Sequence, residues 1–387
     1  MPGFEIIGKK EKLEIDTIFK KGAVLFRHGF DEKRKGSYKV KQFENNFKKK
    51  FKSKYSLAVT SGTSALRVAL STLNLKKNDE IITQAFTFVA TVEAIVESRA
   101  KPVIAEIDET LNMDPQDLLK KITKKTKAVI IVHMLGVPAD LKKIKEICDK
   151  KKIILIEDTA WGCGGKFENK FLGTWGQMGT FSFDFAKNIT TGEGGMILFK
   201  SKNDYMKAAA WHDHGHENNP KKARWEDTRS SSGFNFRMTE LQGAVGIAQL
   251  KKLNYIINKH RKNKEDIWKL ISKNKTITQR KILNGSFETA DALIIKLKSK
   301  KLALKMREEL LKFKISTKIL PEAYTWHFAS TWSHIGELKE KYKNLNKQFS
   351  KSKNILEKCV SIPIFINMNR SIKKNISIAV KNTLEKQ

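Results

Sequence analysis

Between residues 54 and 157 the chain alternates short apolar runs with stretches of helical spacing, and nothing else in the sequence narrows the fold as much. Lys54 to Thr60 reads as a strand and Ser64 to Leu75 as a helix. Glu80 to Thr83, Pro102 to Glu106, Ala128 to His133 and Ile153 to Glu157 repeat the strand pattern. Helical spacing fills the gaps at Thr87 to Glu97, Asp114 to Lys120 and Ala139 to Lys150, the second of these behind an Asp cap. Such repetition argues for an α/β protein with a mostly parallel sheet and helices on both faces. Further strands are expected at Thr180 to Asp184 and Gly195 to Phe199, and helices at Asp204 to Trp211 and Thr239 to Lys252. The pattern then becomes smaller: strands at Ala290 to Leu297 and Ile315 to Ile319, a helix at Lys301 to Phe313, and a last helix from Ser371. We therefore expect a large domain at 1–252 and a smaller C-terminal α/β domain at 253–387, with the N-terminal segment packing on the smaller one. Asn218 to Ser232 is polar throughout and reads as a long loop.

Composition matters mainly for what it excludes. The chain has 387 residues, 40% of them hydrophobic, enough for a sizeable core. No apolar run is long enough for a membrane span. The start, MPGFEIIGKKEKLEID, lacks the pattern of a secretory signal. The 3 cysteines are odd in number and far apart, so neither a disulfide framework nor a structural zinc site is expected, and a reducing cytoplasm fits. The net charge is +34, which attracts anions. The basic residues are spread along the whole chain, as on solvated helix faces, and no zinc-finger, RRM or basic-zipper signature is present. No specific nucleic-acid partner is expected.

Three short constellations carry chemistry. Thr60-Ser61-Gly62-Thr63-Ser64 follows a strand and opens a helix, whose unpaired N–H groups suit a phosphate. Taken alone it is more commonly an ordinary helix cap. Glu157-Asp158 ends a strand, where open α/β sheets bind their ligands, and a carboxylate there can pair with a protonated ring nitrogen. Alone, it reads as a cap. Lys187 stands in FSFDFAKNITTGEGG after a strand and before a glycine-rich turn. An amine in apolar surroundings has a lowered pKa and can form a Schiff base. In a lysine-rich chain the competing reading is a surface residue.

The order of these three, Ser-Gly-Thr, then Asp, then Lys, is what joins them. With SGTSALRVAL, DEIITQAFTFVATVEAI, KPVIAEIDETLNMDP, TKAVIIVHMLGVPADL, ILIEDTAWGCGG, GTFSFDFAKNITTGEGGMI and GFNFRMTELQGAVGIAQL, the chain resembles the DegT/StrS family of sugar aminotransferases. These are pyridoxal-phosphate enzymes of fold type I, which implies a large domain with a mostly parallel seven-stranded sheet. The resemblance implies that Lys187 carries the cofactor and moves the proton, and that Asp158 keeps the pyridine nitrogen protonated. Gly62, Thr63 and Ser182 would hold the phosphate, and Phe88 would stack on the ring, although an aromatic beside a strand end is usually core. Asn235 would reach the phosphate of a neighbouring subunit, which implies a homodimer with shared sites.

Two positions depart from the family. Three residues after Asp158 it usually has Gln or His; here stands Trp161, which has one donor and no acceptor. Its Asn-His-Gly loop is replaced by Trp211-His212-Asp213-His214-Gly215-His216. We read that as a polar loop bordering the substrate pocket, with His214 a candidate contact, and expect no metal. Retained Lys187 favours transamination over the dehydration that relatives with His there perform. For the acceptor, both chain ends, including WHFASTWSHIGELK, resemble family members that form 8-amino-3,8-dideoxy-manno-octulosonate for lipopolysaccharide, with L-glutamate as donor. Trp326 and His327 then join Arg237 as candidate substrate contacts. The alternative acceptor is a nucleotide-linked 3- or 4-keto sugar, for whose diphosphate Arg229 and Arg237 are candidates. A noncatalytic binding protein on the same scaffold is the reading from another class.

Overall fold

The computed structural model describes residues 3–219 and 221–385. Two longer helices precede the sheet, α1 (Lys9–Lys20) and α2 (Lys39–Phe51). Then follow β1 (Tyr55–Val59), α3 (Gly62–Ser71), β2 (Glu80–Gln84), α4 (Ala90–Glu97) and β3 (Lys101–Ala105). Next come α5 (Pro115–Lys121), β4 (Thr126–Val132), α6 (Leu141–Lys151), β5 (Ile154–Asp158), β6 (Met178–Ser182), β7 (Gly195–Phe199) and α7 (Lys202–Trp211). The seven strands form one sheet in the order β1-β7-β6-β5-β4-β2-β3. All neighbours run parallel except β7, which is antiparallel to both β1 and β6. The strands are buried nearly throughout, as parallel strands covered on both faces must be.

A helix of 32 residues, α8 (Glu240–Ile271), runs past residue 253, where the first domain was expected to end. Its start is defined by a reciprocal cap between Thr239 and Gln242. Its two glycines at 243 and 246 let α2 lie close: a Cβ on Gly243 would come within 2.7 Å of the Val40 nitrogen, and one on Gly246 within 2.6 Å of the Phe43 ring. Beyond it, β8 (Ala292–Lys296) pairs antiparallel with β9 (Cys359–Pro363), flanked by α9 (Lys300–Lys312) and α10 (Arg370–Glu385). The N-terminal segment ties both parts together. Glu11 is buried and accepts from Gln249 at 2.9 Å and Lys252 at 2.8 Å, while Glu5 accepts from the backbone of Ile366 at 3.4 Å and Asn367 at 3.2 Å.

One expected element is absent. Residues 315–319 do not form a strand. Lys318 donates its N–H to the Ser361 carbonyl at 2.8 Å, but Ile319 has φ of +104°, and the chain turns there toward the large domain. A β-branched residue rarely adopts that backbone, and it cannot continue a pleated ladder. The alternating side chains of this stretch read as a strand, while its backbone serves the cavity described next.

Candidate active site

The C-terminal ends of β5 and β6 and the N-terminus of α3 open on one cavity of about 580 Å³. Gly62, Thr63, Phe88, Asp158, Trp161, Ser182, Lys187, Trp326 and His327 all line it. Residues separated by up to 265 positions in sequence thus meet at one place. The C-terminal part of the chain adds Thr317, Lys318 and Ile319 to the wall.

At the floor, the first N–H groups of α3 have no acceptor within the helix. Ser61 and Ser64 cap each other, with Ser64 N–H donating to Ser61 Oγ at 3.0 Å and Ser61 N–H to Ser64 Oγ at 2.8 Å. That leaves the N–H groups of Gly62 and Thr63 for the cavity. A Cβ on Gly62 would sit 2.7 Å from the Cβ of Ser182, so only glycine lets the helix start this close to the end of β6. The result is a cradle of donors and partial positive charge.

Asp158 ends β5 and is 6% exposed. Its Oδ2 accepts from Thr91 Oγ at 3.0 Å and its Oδ1 from the Ala160 N–H at 3.1 Å. Burial raises its pKa against the lowering effect of those bonds. Neighbouring Glu157 faces the other way, as strand alternation requires. It accepts from the backbone of Gly173 at 2.8 Å, Trp175 at 2.6 Å and Gly176 at 2.8 Å, and from His133 at 3.0 Å. Glu157 is therefore a buried brace, and of the two carboxylates Asp158 serves the cavity.

Lys187 follows β6. Burial pulls its amine down to about 8. Its nitrogen lies 3.5 Å from the centre of the Trp161 ring. Trp161 is 8% exposed, lines the cavity, and its backbone carbonyl accepts from Thr289 Oγ at 3.2 Å. Phe88 is 37% exposed and is not a core residue; its ring is 5.4 Å from that of His327 and 6.3 Å from that of Trp326. His327 Nδ1 meets the Ala323 carbonyl at 2.9 Å, so that nitrogen is the protonated one and Nε2 is left as an acceptor. Burial pulls the ring down to about 4, so it is neutral at pH 7.

The structure places the remaining candidates away from this cavity. Arg237 is paired with Asp213, which also takes Arg224 at 2.5 Å and lies 3.2 Å from His28. Arg237 thus shares one carboxylate with Arg224, and it does not line the cavity. Asn235 and His214 are exposed on the same side, and Arg229 is exposed in the loop after His214. The three alternating histidines part company: His212 meets the Ala209 carbonyl, His216 lies 3.3 Å from Asp227, and His214 faces solvent. Sequence reasoning missed Thr91 and Lys318. Thr91 had the signal of a hydroxyl in the first turn of a helix beside a strand end; Lys318 was hidden inside an expected strand.

A model of the DegT/DnrJ/EryC1/StrS aminotransferase family matches residues 30–381. The chain belongs to that family. It is 38% identical over 228 residues to GDP-perosamine synthase of Escherichia coli O157:H7, covering 59% of this chain and 61% of that protein. It is 37% identical over 249 residues to GDP-4-keto-6-deoxy-D-mannose 3-dehydratase of E. coli O55:H7, covering 59% of this chain and 64% of the other. The chain thus spans less than two thirds of the length of these curated relatives. Among solved structures, Helicobacter pylori PseC, an aminotransferase involved in the biosynthesis of pseudoaminic acid, has a TM-score of 0.84 at 25% identity, with 98% of both chains covered. Pyridoxal phosphate, the cofactor of this DegT/DnrJ/EryC1/StrS fold, fits the residues present. The donor cradle at Gly62 suits its phosphate, and Asp158, a buried carboxyl with two neutral donors, suits a ring N–H⁺.

Proposed function

We propose that the protein is a pyridoxal-phosphate-dependent aminotransferase that moves an amino group from L-glutamate to a nucleotide-linked keto sugar in surface-polysaccharide synthesis. The observation that carries this reading is the convergence of the Lys187 amine, the Asp158 carboxyl and the α3 N-terminus on one cavity. Bound pyridoxal phosphate supplies an electron sink for the bond broken at the substrate carbon. The chain supplies the rest. Lys187 holds the cofactor between turnovers and, once released, takes and returns the proton at its Nζ. Asp158 keeps a positive ring nitrogen opposite it. The α3 N–H groups and Ser182 hold the phosphate. Phe88 and Trp161 exclude water from the ring. His327, neutral and with Nε2 free to accept, receives a hydrogen bond from a sugar hydroxyl. Asn235, remote from its own cavity and exposed, serves the phosphate of a second copy in a homodimer.

The relatives that act on GDP-linked sugars support the nucleotide-linked acceptor over the eight-carbon sugar acid expected from the chain ends. That sugar acid stays as the second reading, because Trp326 and His327, which carry the resemblance, line the cavity and no arginine among the described residues does. The test is a visible spectrum of the protein with pyridoxal phosphate, before and after L-glutamate. A yellow band that bleaches with glutamate and is absent in Lys187→Ala is expected. Single-turnover assays with a GDP-linked 4-keto-6-deoxy sugar and with the 8-aldehyde sugar acid then separate the two acceptors. No band at any cofactor concentration would put the noncatalytic reading first.

A further inference from the structure

A second lysine shares the site. Lys318 comes from the small domain, and its Nζ lies 4.8 Å from the centre of the same Trp161 ring that the Lys187 amine approaches to 3.5 Å. It is 10% exposed and paired with Asp291, which is 1% exposed. Its Nζ also lies 3.3 Å from the Asp291 carbonyl, and its backbone N–H is tied to Ser361 at 2.8 Å. Asp291 Oδ1 is buried without a hydrogen-bond partner, so the carboxylate is committed to Lys318 on one side only. The strained backbone at Ile319, the next residue, turns this amine toward the cavity. The two amines therefore lie no more than 8.3 Å apart, close enough for each to disfavour the other's charge.

Resting on the cofactor reading above, we infer that Lys318, braced by Asp291, is a positioning residue that makes the Lys187 amine easier to deprotonate and so enlarges the share able to condense with an aldehyde. In that condensation the nitrogen lone pair of Lys187 forms the bond to carbon, the carbonyl oxygen leaves as one water, and nothing is oxidised or reduced. The charged and titratable groups around Lys187 are Asp184 on its own loop, Asp158 at the end of β5, Glu193 in the glycine-rich turn, His327 on the short helix 324–327, and the pair Lys318 and Asp291. Asp184, Asp158 and Asp291 favour the charged amine, His327 is neutral, and of these groups Lys318 brings the positive charge. Burial is the main cause of the weakened proton affinity of Lys187, and Lys318 acts in the same direction.

The experiment follows the rate at which the cofactor-free full chain develops the yellow band with pyridoxal phosphate, as a function of pH. Asp291→Asn leaves Lys318 uncompensated and should move the midpoint to lower pH. Adding Lys318→Gln to it should move the midpoint back up and slow condensation at pH 7 by roughly threefold to tenfold relative to Asp291→Asn. Lys318→Arg should keep the midpoint of the unaltered protein, and Lys318→Gln alone should raise it. Because Asp291→Asn is present on both sides of the first comparison, that comparison reads the Lys318 charge and not the broken pair. If those variants do not fold, Lys318→Arg against Lys318→Gln makes the same comparison with Asp291 intact. Equal midpoints in either comparison, with the band present, overturn the role of Lys318 and leave the cofactor reading standing. No band in the unaltered protein overturns both.

Discussion

Asp158 is held by two neutral donors, a hydroxyl and a backbone N–H, and burial raises its pKa. Replacing it with Asn removes the charge opposite the ring nitrogen without changing the side chain's size. We expect Asp158→Asn to bind the cofactor and to lose turnover by about 10²-fold or more, measured in single-turnover assays with glutamate. Thr91→Val removes one of the two donors, so the carboxyl becomes easier to protonate. Its turnover should fall several-fold, with the loss greatest at acid pH. Asp158 was legible because a strand end in an α/β sheet faces the ligand. Glu157 looked identical on paper, and only the alternation of the strand separates them. Thr91 was not legible, because its bond to Asp158 spans 67 positions and depends on how α4 docks.

Elements carry two further expectations. The α3 cradle depends on close approach to β6, where a Cβ on Gly62 would sit 2.7 Å from Ser182. Gly62→Ala should therefore push the helix start away and weaken pyridoxal phosphate binding at least about tenfold, with little loss of fold, as a titration of the yellow band would show. The α2–α8 seam is tighter still, since Gly246 faces the Phe43 ring. Gly246→Val should destabilise the protein by about 1–3 kcal/mol in urea unfolding and leave cofactor affinity unchanged. The strands of the main sheet were legible because buried parallel strands are continuous apolar runs. The expected strand at 315–319 alternates instead, with Ser316 and Lys318 between Ile315, Thr317 and Ile319, and its backbone turns at Ile319, next to the Lys318 that lines the cavity. Local pattern records which side chains are apolar; it does not record that a backbone is bent to meet a distant part of the chain.

Across the whole molecule, three buried histidines are held neutral. Burial lowers His212 to about 3, and His260 and His327 to about 4. Unfolded, each would titrate near 6.5, so between that pH and its folded value the unfolded chain binds more protons. The stability they contribute is complete above about pH 6.5 and is lost as pH falls toward 4, at up to about 1.4 kcal/mol per pH unit for each ring. Urea midpoints at pH 7, 6 and 5 should fall steadily, and His260→Leu should make the slope shallower; equal slopes would show that His260 does not stay neutral. The sheet order has a consequence on another clock. β1 lies at the edge of the sheet and pairs with β7, with Tyr55 opposite Phe199. On the ribosome, β1 emerges roughly 140 residues before its partner, a wait of roughly 7–30 s at ~5–20 residues per second. During that wait its apolar run is an unpaired edge, the state that chaperones bind and that aggregates. Yield of folded protein should therefore respond to chaperone supply and to the rate of translation between β1 and β7, even where the finished molecule is stable.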